Sequence, residues 1–516
     1  MLDLRSYGSD GFSDAYSVIK ERLGVVRDQE QPGYEGRAPI RESLVRCIWF
    51  GQHIKARMLA TEDGTRAEAI SPGWWNVEDG PDFQRAEVLF EGRGLVKGDV
   101  EVHVFASDWA RHGHDKLEAY NSVILHVVMW NDGRGRFVTN QAGQKIPQLA
   151  LSRYLDCELD ELDVDEYPAA DAQGGLCQQR LAKLPAQAAW VGQFLDFAGD
   201  ERILAKARMF SRRLESTTFE QALYEGVMES LGYKNNKAPF LQLARLAPVA
   251  ELRRVVPVDA SATDKAQRIQ ALLFGIGNLL PSQRPVHGAM DEESRAYVGA
   301  VEALWQALTA EYGKRAMDKD AWSFAGSRPA NSPPRRIAAM SCLLARHGEE
   351  GLFKALLMAV EQAESQPDDP SKARHALRGL KAIFMAAADP FWDRRYGFGG
   401  QRLARPLKLI GDERCAAIVL NVVLPLLLAY ARQKGDAALE KRLHALYRAH
   451  PKLPVNNVTT FMNCRIFGSS GRAVETVTTA RRQQGLYQVF KDFCERDDIT
   501  CGKCAMLLAL DAPTRE

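Results

Sequence analysis

The chain has 516 residues, of which 46% are apolar and 26% are charged, and its formal net charge is +1. This composition is typical of a globular protein, and the length predicts two or three domains. The balanced charge excludes attraction to nucleic acid or membranes through net charge alone, so any basic binding surface has to be local. "MLDLRSYGSD" lacks the pattern of a leader and no apolar run reaches about 18 residues, so we expect a cytoplasmic protein without membrane contact.

The N-terminal part of the chain predicts an extension followed by an α/β domain. Residues 1–37 are polar and glycine-rich, with one predicted helix in "DAYSVIKERLGVV". Residues 38–160 begin with helical spacing in "IRESLVRCIWFGQHI" and continue with short strand-like runs around Glu-Asp-Gly and glycine-rich turns. The polar stretch "SDWARHGHDKLEAYN" then leads into the apolar strand "SVILHVVMW". The predicted order is helix, three or four strands, helix and strand.

The rest of the chain predicts a large all-helical domain and a cysteine-bearing end, so the fold class is α+β. The acidic stretch "DCELDELDVDEYPAADAQGG" has no periodicity and predicts a linker or surface loop. Residues 176–460 place apolar residues every three or four positions, as in "ERILAKARMFSRRLE" and "AALEKRLHALYRAH". The apolar run "AAIVLNVVLPLLLAYA" contains Asn421 and Pro425, which favours a buried helix. Residues 461–516 form the predicted C-terminal cysteine-cluster segment.

Polar residues collect on one face of a predicted strand. In "GDVEVHV", strand alternation places Asp99, Glu101 and His103 on one face and three valines on the other. Four of the ten histidines fall in or shortly after this strand: His103, His112, His114 and His126. Such a stripe is either a solvated surface or a metal site.

Carboxylates at the ends of adjacent strands are typical of a hydrolytic metal site. Mg²⁺ and similar hard cations bind one or two carboxylates together with water and substrate phosphate. The bound cation lowers the pKa of a water molecule and neutralises charge in the transition state. The ordinary pKa of His103, near 6.5, suits either a general base or a metal ligand.

The string "GPDF", followed by "EVH", resembles the PD-(D/E)xK nuclease superfamily, whose core is a helix, a three-stranded meander, a helix and a further strand. The resemblance implies that Asp82 and Glu101 bind Mg²⁺ or Mn²⁺ and that His103 stands where the superfamily has lysine. Glu42 would match the acidic residue that some members carry on the first helix. The departure at His103 bears on activity, because loss of the lysine sometimes accompanies loss of catalysis.

A longer resemblance covers most of the chain, from about Glu42 to Cys504. The strings "PGWWN", "GDVEVH", "SDWARHGHDKLEAYNSVILHVV", "ALYEGVMESLGY", "RPANSPPRRIAA" and "NVVLPLLLAYA" are similar to an uncharacterised bacterial family, domain of unknown function 2851. This resemblance implies a shared fold and supplies no activity. The nuclease prediction therefore depends on the residues of the polar stripe.

The histidines have simpler interpretations as well. His126 shares a strand face with Ile124 and Val128, which is typical of a buried, hydrogen-bonded core histidine. His112 and His114 would contact phosphate, support a metal ion, or lie in a solvated surface turn. Gly113 between them weakens a helix, so the segment is either helical or a loop over the strand ends.

The C-terminal segment predicts a second metal site. Cys494, Cys501 and Cys504 form a C-x6-C-x2-C pattern in "CERDDITCGKC", and Cys464 lies upstream. Four thiolates bind one zinc ion or an iron–sulfur cluster, and the alternative is free thiols in terminal helices. The pattern resembles part of the cluster loop of certain DNA glycosylases. In either metal case the role would be structural.

These residues together predict a metal-dependent nuclease that hydrolyses phosphodiester bonds of DNA or RNA with Mg²⁺ or Mn²⁺. The first alternative is a nucleic-acid-binding or scaffold protein that has the fold without catalysis. The second is a metallohydrolase of another ester, in which several of the four histidines bind zinc or manganese. Nucleic acid is the expected partner, and the sequence names no protein partner.

Overall fold

The structure, a computed structural model, describes residues 11–22, 42–52, 54, 59–76, 80–133, 135–155, 176–183, 187–233, 236–286, 288–324, 328–348, 350–362, 369–468, 472–494, 504 and 506. These residues form a mixed sheet in the N-terminal part of the chain and a large helical region after it. The α+β class predicted from the sequence is therefore confirmed.

Helices α1 (Ala15–Arg22) and α2 (Glu42–Gly51) precede the sheet, whose strands are β1 (Leu59–Ala60), β2 (Arg66–Ser71), β3 (Trp74–Trp75), β4 (Phe83–Phe90), β5 (Gly94–Phe105), β6 (Val123–Trp130), β7 (Phe137–Thr139) and β8 (Lys145–Ala150). The strand order is β1-β2-β4-β5-β6-β8-β7, with β3 paired to β4. Strands β2, β4 and β5 are antiparallel, whereas β5, β6 and β8 run parallel. A short helix, α3 (Asp108–Arg111), lies in the connection from β5 to β6. The predicted order of helix, strands, helix and strand is present.

The valine face of β5 packs on the core, as the alternation predicts. Val100, Val102 and Val104 are buried in one apolar cluster with Ile48 and Trp49 of α2. Each fully buried valine contributes roughly 1.5–3 kcal/mol relative to an exposed one. The helix and the central strands are therefore held together, and the opposite face of β5 is free to carry polar groups.

A bulge in β4 shapes the strand next to the polar face. The pairing of β4 with β5 shifts register between Phe83 and Ala86, and Arg85 within that stretch has a φ of 55°. The Oδ1 of Asp99 accepts a hydrogen bond of 2.9 Å from the backbone N–H of Arg85, and its Oδ2 accepts one from the hydroxyl of Ser122. Asp99 therefore stabilises the bulge that begins just after Asp82.

The helical region contains α4 (Leu176–Leu181), α5 (Gln187–Arg213), α6 (Phe219–Leu231), α7 (Lys237–Leu246), α8 (Val249–Arg254), α9 (Ala262–Ile276), α10 (Glu292–Tyr312), α11 (Pro333–His347), α12 (Leu352–Glu361), α13 (Pro370–Met385), α14 (Asp412–Ile418), α15 (Leu424–Lys434), α16 (Ala437–Ala449), α17 (Asn457–Phe467), α18 (Arg472–Thr476) and α19 (Ala480–Val489). The segments predicted as helices from their apolar spacing are helical. A second apolar cluster joins α1, α5, α17 and α19 to the described residues near the C-terminus.

The apolar run around Pro425 is a core helix. Helices α14 and α15 are continuous through a π-helical turn over Val419–Val423. By length and composition alone, the resulting helix over residues 412–434 could cross a membrane. In its most apolar window, 72% of the residues are buried inside the protein. The π turn accommodates Pro425, which has no N–H to donate, and the side chain of Asn421 accepts a 2.9 Å hydrogen bond from Lys206. The prediction of a buried helix is confirmed.

Helices α5 and α19 approach each other closely through glycines. A Cβ atom at Gly199 would lie 2.1 Å from the backbone oxygen of Arg481, and one at Gly485 would lie 2.1 Å from that of Leu195. Since backbone atoms cannot yield as a flexible side chain does, a methyl group at either position requires the helices to separate.

We expect Gly199→Ala to lower the free energy of unfolding by about 1–3 kcal/mol through this overpacking. The matched control is Gly299→Ala in the exposed face of α10, where a Cβ atom meets nothing within 4 Å. That change should raise stability by about 0.5–1 kcal/mol, because alanine loses less backbone entropy on folding than glycine. Denaturant titration of the two variants measures both effects, and equal effects would contradict the close packing.

Candidate metal centre

The four histidines meet where β5 and β6 run side by side. In the parallel register Glu101 lies opposite His126 and His103 lies opposite Val128, so His103 and His126 point to the same side of the sheet. The connection between β5 and β6 carries the other two histidines, His112 and His114. Helix α3 ends at Arg111, and Gly113, with φ of 76°, turns the chain so that His112 and His114 both return to His103.

A chain of hydrogen bonds sets the tautomer of His103. The side-chain amide of Gln148 donates to the backbone oxygen of Gly135 at 2.8 Å, so its Oε1 accepts from the Nδ1 of His126 at 3.1 Å. The Nε2 of His126 is then an acceptor, and the Nδ1–H of His103 donates to it at 2.8 Å. The Nε2 of His103 consequently carries a lone pair that points away from the sheet.

Three imidazole nitrogens converge at that lone pair. The Nε2 of His103 lies 3.1 Å from the Nδ1 of His112 and 3.2 Å from the Nε2 of His114. The ligand atoms of this trio all lie within 4.8 Å of one another. Two nitrogens on a tetrahedral zinc ion, each about 2.0–2.1 Å from it, are roughly 3.3 Å apart. The observed spacing therefore fits a metal ion.

All four histidines are neutral at neutral pH. Burial lowers the pKa of His126 to about 3 and that of His114 to about 4. It also lowers the pKa of His103 well below 6.5 and lowers the pKa of His112, and the charge of Arg46 acts in the same direction. Neutral imidazole is the form that binds a metal ion. Since His112 is exposed and the others are buried, the trio opens to solvent at His112.

Glu101 borders the trio. Its Oε1 lies 3.1 Å from the Nε2 of His114 and 3.6 Å from the Nε2 of His103. Its Oε2 accepts a hydrogen bond of 3.0 Å from the backbone N–H of Asp82. The carboxylate is thus oriented by the start of β4 and presents one oxygen to two of the imidazoles.

Asp82 and Glu42 meet at Arg46, a residue that the sequence did not single out. The Nη2 of Arg46 lies 2.7 Å from the Oδ1 of Asp82 and 2.9 Å from the Oε1 of Glu42. The Oδ2 of Asp82 accepts a 2.9 Å hydrogen bond from the backbone N–H of Val102. Asp82 is therefore adjacent to Glu101 along the sheet, but its carboxylate oxygens contact a guanidinium and a backbone amide.

Aromatic rings pack around the imidazoles. Tyr120 stacks on His114 with ring centroids 3.9 Å apart, and the ring of Trp109 lies 5.5 Å from His114 and 5.2 Å from His126. The indole N–H of Trp109 donates to the backbone oxygen of Thr139 at 3.1 Å. These contacts hold the ring planes in place and explain why burial dominates the histidine pKa values.

The structure describes three of the four terminal cysteines. Cys464 is half-buried in α17, Cys494 is exposed at the end of the π-helical turn that follows α19, and Cys504 is buried in an apolar cluster. Cys501 lies outside the described residues. A zinc ion or iron–sulfur cluster at these cysteines stays a prediction.

The chain belongs to the family described as Protein of unknown function (DUF2851), because the model of that family matches residues 42–453. The match includes α2, the whole sheet and the histidine trio. No curated protein and no solved structure matches the chain. The family description names no activity.

Proposed function

We propose that the protein is a metal-dependent hydrolase that cleaves phosphodiester bonds, with a transition-metal cation bound by His103, His112 and His114. The convergence of three neutral imidazole nitrogens carries this proposal, since all lie within 4.8 Å of one another and the Nε2 of His103 is 3.1 and 3.2 Å from the other two. Three protein ligands and one open position are typical of catalytic zinc sites. The hydrogen bond from His103 to His126 fixes the ligand tautomer, as outer hydrogen bonds do in such sites. When bound, the cation would polarise a phosphoryl oxygen and lower the pKa of water.

Glu101 is the general base in this proposal. One of its oxygens lies beside two of the proposed ligands, where it can accept a proton from water. The other oxygen is held by the N–H of Asp82, so the carboxylate does not rotate away from the site. Asp82 is in turn held by Arg46 and by the backbone of β5, and acts as a positioning residue.

Two features support a phosphodiester substrate. Arg46 is paired with Asp82 and Glu42, so a cation at the trio would supply the positive charge that binds a phosphoryl oxygen beside Glu101. In addition, the order of helix, strands, helix and strand agrees with the order that the nuclease resemblance implies. DNA and RNA are both substrates to be assayed, since phosphate contacts carry no sequence information.

The first test is metal content. Protein purified without chelator and then supplied with Zn²⁺ or Mn²⁺ should hold about one ion per chain at the trio. We expect His112→Ala to lower the affinity for that ion at least tenfold, because a ligand is lost while the exposed position leaves folding intact. The control is His375→Ala, which removes an exposed histidine from α13. Equal metal binding by both variants would contradict the trio as the binding site.

In a second candidate function, the metal ion is bound by the carboxylates of Asp82 and Glu101. The adjacency of Asp82, which directly precedes β4, to Glu101 on β5 favours it, and it predicts a Mg²⁺- or Mn²⁺-dependent nuclease in which His103 orients water. Asp82→Asn separates the two candidates. The change should abolish Mg²⁺-dependent cleavage if Asp82 binds the ion, and should only weaken the activity if Asp82 positions Glu101. Nucleic-acid binding without cleavage in any of these metals would instead support a scaffold protein.

We also propose that the terminal cysteines bind zinc or an iron–sulfur cluster with a structural role. Cys504 is buried in an apolar cluster that also contains Cys177 and Cys47, although the sequence pattern had pointed to Cys464 as the distant ligand. Iron, sulfide and zinc are measured in the same samples as the first test. Metal that survives His112→Ala and disappears on Cys504→Ala would belong to the cysteines.

A further inference from the structure

A cavity of about 860 Å³ lies between α13 and α16, in a part of the chain that the hydrolase proposal does not use. Its walls include residues of both helices, and Ala416, Val419, Thr478 and Thr479 close it on further sides. The volume is within the range of small-molecule sites, which is about 300–1,000 Å³. We call this cavity the cationic cleft, for the residues that line it.

Two stripes of positive charge face the cleft. Arg374, Arg378 and Lys381 lie four and three residues apart on α13, so they share one helix face, and Lys441 and Arg448 lie seven apart on α16. No acidic residue occurs among the described residues that line the cleft. The two helices therefore direct five cationic side chains toward one volume.

Few of these cations pair with a carboxylate in the described part of the protein, although Arg448 lies close enough to Asp200 to act on its charge. Lys381 forms an ion pair of 2.9 Å with Asp412. The structure gives no ion pair among its described residues to Arg374, Arg378, Lys441 or Arg448. Like charges held together repel one another, and a bound polyanion relieves that repulsion.

The inner wall of the cleft offers polar and apolar contacts. His444 is buried, and its Nε2 makes no hydrogen bond within the described residues. His450 is also buried and is fixed by a 2.8 Å contact between its Nδ1 and the backbone oxygen of Pro451. Leu377 and Val419 add apolar surface beside these rings. A ligand with a charged part and a less polar part would satisfy both kinds of contact.

We infer that the cationic cleft binds a small molecule carrying two or more phosphate groups, of the size of a nucleoside diphosphate or triphosphate. Arginines bind phosphate through paired, charge-assisted hydrogen bonds, and the two helices place three arginines along one cleft. The cavity volume favours a small ligand over a polymer, whose binding would follow an extended groove. The ligand is bound here and not hydrolysed, since the proposed metal centre uses other residues.

The test is equilibrium titration of the full-length protein with ATP, ADP, inorganic tripolyphosphate, adenosine and a single-stranded oligonucleotide. We expect saturable binding of ATP and tripolyphosphate that weakens as salt is added, and no binding of adenosine. Arg378→Ala and Arg448→Ala should each weaken ATP binding about tenfold. Tripolyphosphate that binds as tightly as ATP would show that only the phosphates are recognised, and tighter binding of ATP would show recognition of the nucleoside as well.

Two controls locate the binding. Arg212→Ala removes an exposed arginine from α5, outside the cleft, and should leave the affinity unchanged. His112→Ala should also leave the affinity for ATP unchanged, because His112 lies outside the cleft. Failure of the hydrolase proposal and failure of the cleft proposal are therefore distinguishable. The inference is overturned if neither ATP nor tripolyphosphate binds, if only the oligonucleotide binds, or if Arg212→Ala weakens binding as much as the cleft variants.

Discussion

Replacing Glu101 by glutamine is expected to lower hydrolysis about 10²- to 10⁴-fold while the bound metal ion is retained. Glutamine has nearly the same shape, and its oxygen can still accept the hydrogen bond that the N–H of Asp82 donates to Glu101. It cannot accept a proton from water at neutral pH. Turnover numbers for a phosphodiester substrate, together with metal content of the same preparation, measure the two effects separately.

The control for this experiment is Asp99→Asn on the same strand. Asp99 shares its strand face with Glu101, but its oxygens contact the N–H of Arg85 and the hydroxyl of Ser122. We expect this variant to keep both its metal and most of its activity. Loss of the ion together with activity in Glu101→Gln would instead identify Glu101 as a metal ligand and favour the carboxylate site.

Strand alternation predicted the position of these groups correctly. A period of two residues assigns each side chain of β5 to a face, and burial of Val100, Val102 and Val104 then requires Glu101 and His103 to lie opposite. The order of elements was also accessible, because glycine-rich turns separate the strands and apolar spacing marks the helices. Each of these patterns lies within one short segment, so it can be recognised in a single amino-acid sequence.

The contacts that orient the site are not local, and the sequence did not reveal them. Gln148 lies on β8, two strands away from His103, and acts through His126. A signal was present, since Gln148 is the one polar residue in the buried run "IPQLA". Arg46 also had a signal, because it lies one helical turn after Glu42. Neither signal says which partner the side chain meets.

Conformation at two positions decides which polar residues join the site. Gly113 adopts a left-handed φ of 76°, and this turn allows both His112 and His114 to contact His103. Asp99 shares a face with Glu101 by alternation, but the bulge at Arg85 recruits it to hold the backbone. Alternation alone therefore grouped Asp99 with residues whose chemistry it does not share.

Arg335 carries the largest effect on stability that we predict. It is completely buried at the start of α11, within the string "RPANSPPRRIAA". Its guanidinium donates to the backbone oxygens of Trp392 and Arg395 at 3.1 and 3.0 Å. It donates further hydrogen bonds to three other backbone oxygens, those of Ala330, Lys408 and Leu407. Four of these five oxygens belong to the irregular connection that joins α13 to α14, and one side chain thus satisfies much of its backbone.

We expect Arg335→Ala to lower the free energy of unfolding by about 3–5 kcal/mol, because it leaves several buried carbonyl groups without donors and creates a cavity. Denaturant titration measures the loss. Arg346→Ala is the control, since Arg346 lies exposed on the same helix, and it should change stability by no more than about 0.5 kcal/mol.

Arg335→Lys tests whether geometry or charge matters. Lysine keeps the positive charge but presents three donors from one nitrogen, so it cannot reach five carbonyl groups that surround a planar fork. We therefore expect a loss between those of the alanine variant and the parent protein. A lysine variant as stable as the parent would show that charge alone holds the connection. An alanine variant that loses less than about 1 kcal/mol would show that water replaces the guanidinium and that the connection is not held by Arg335.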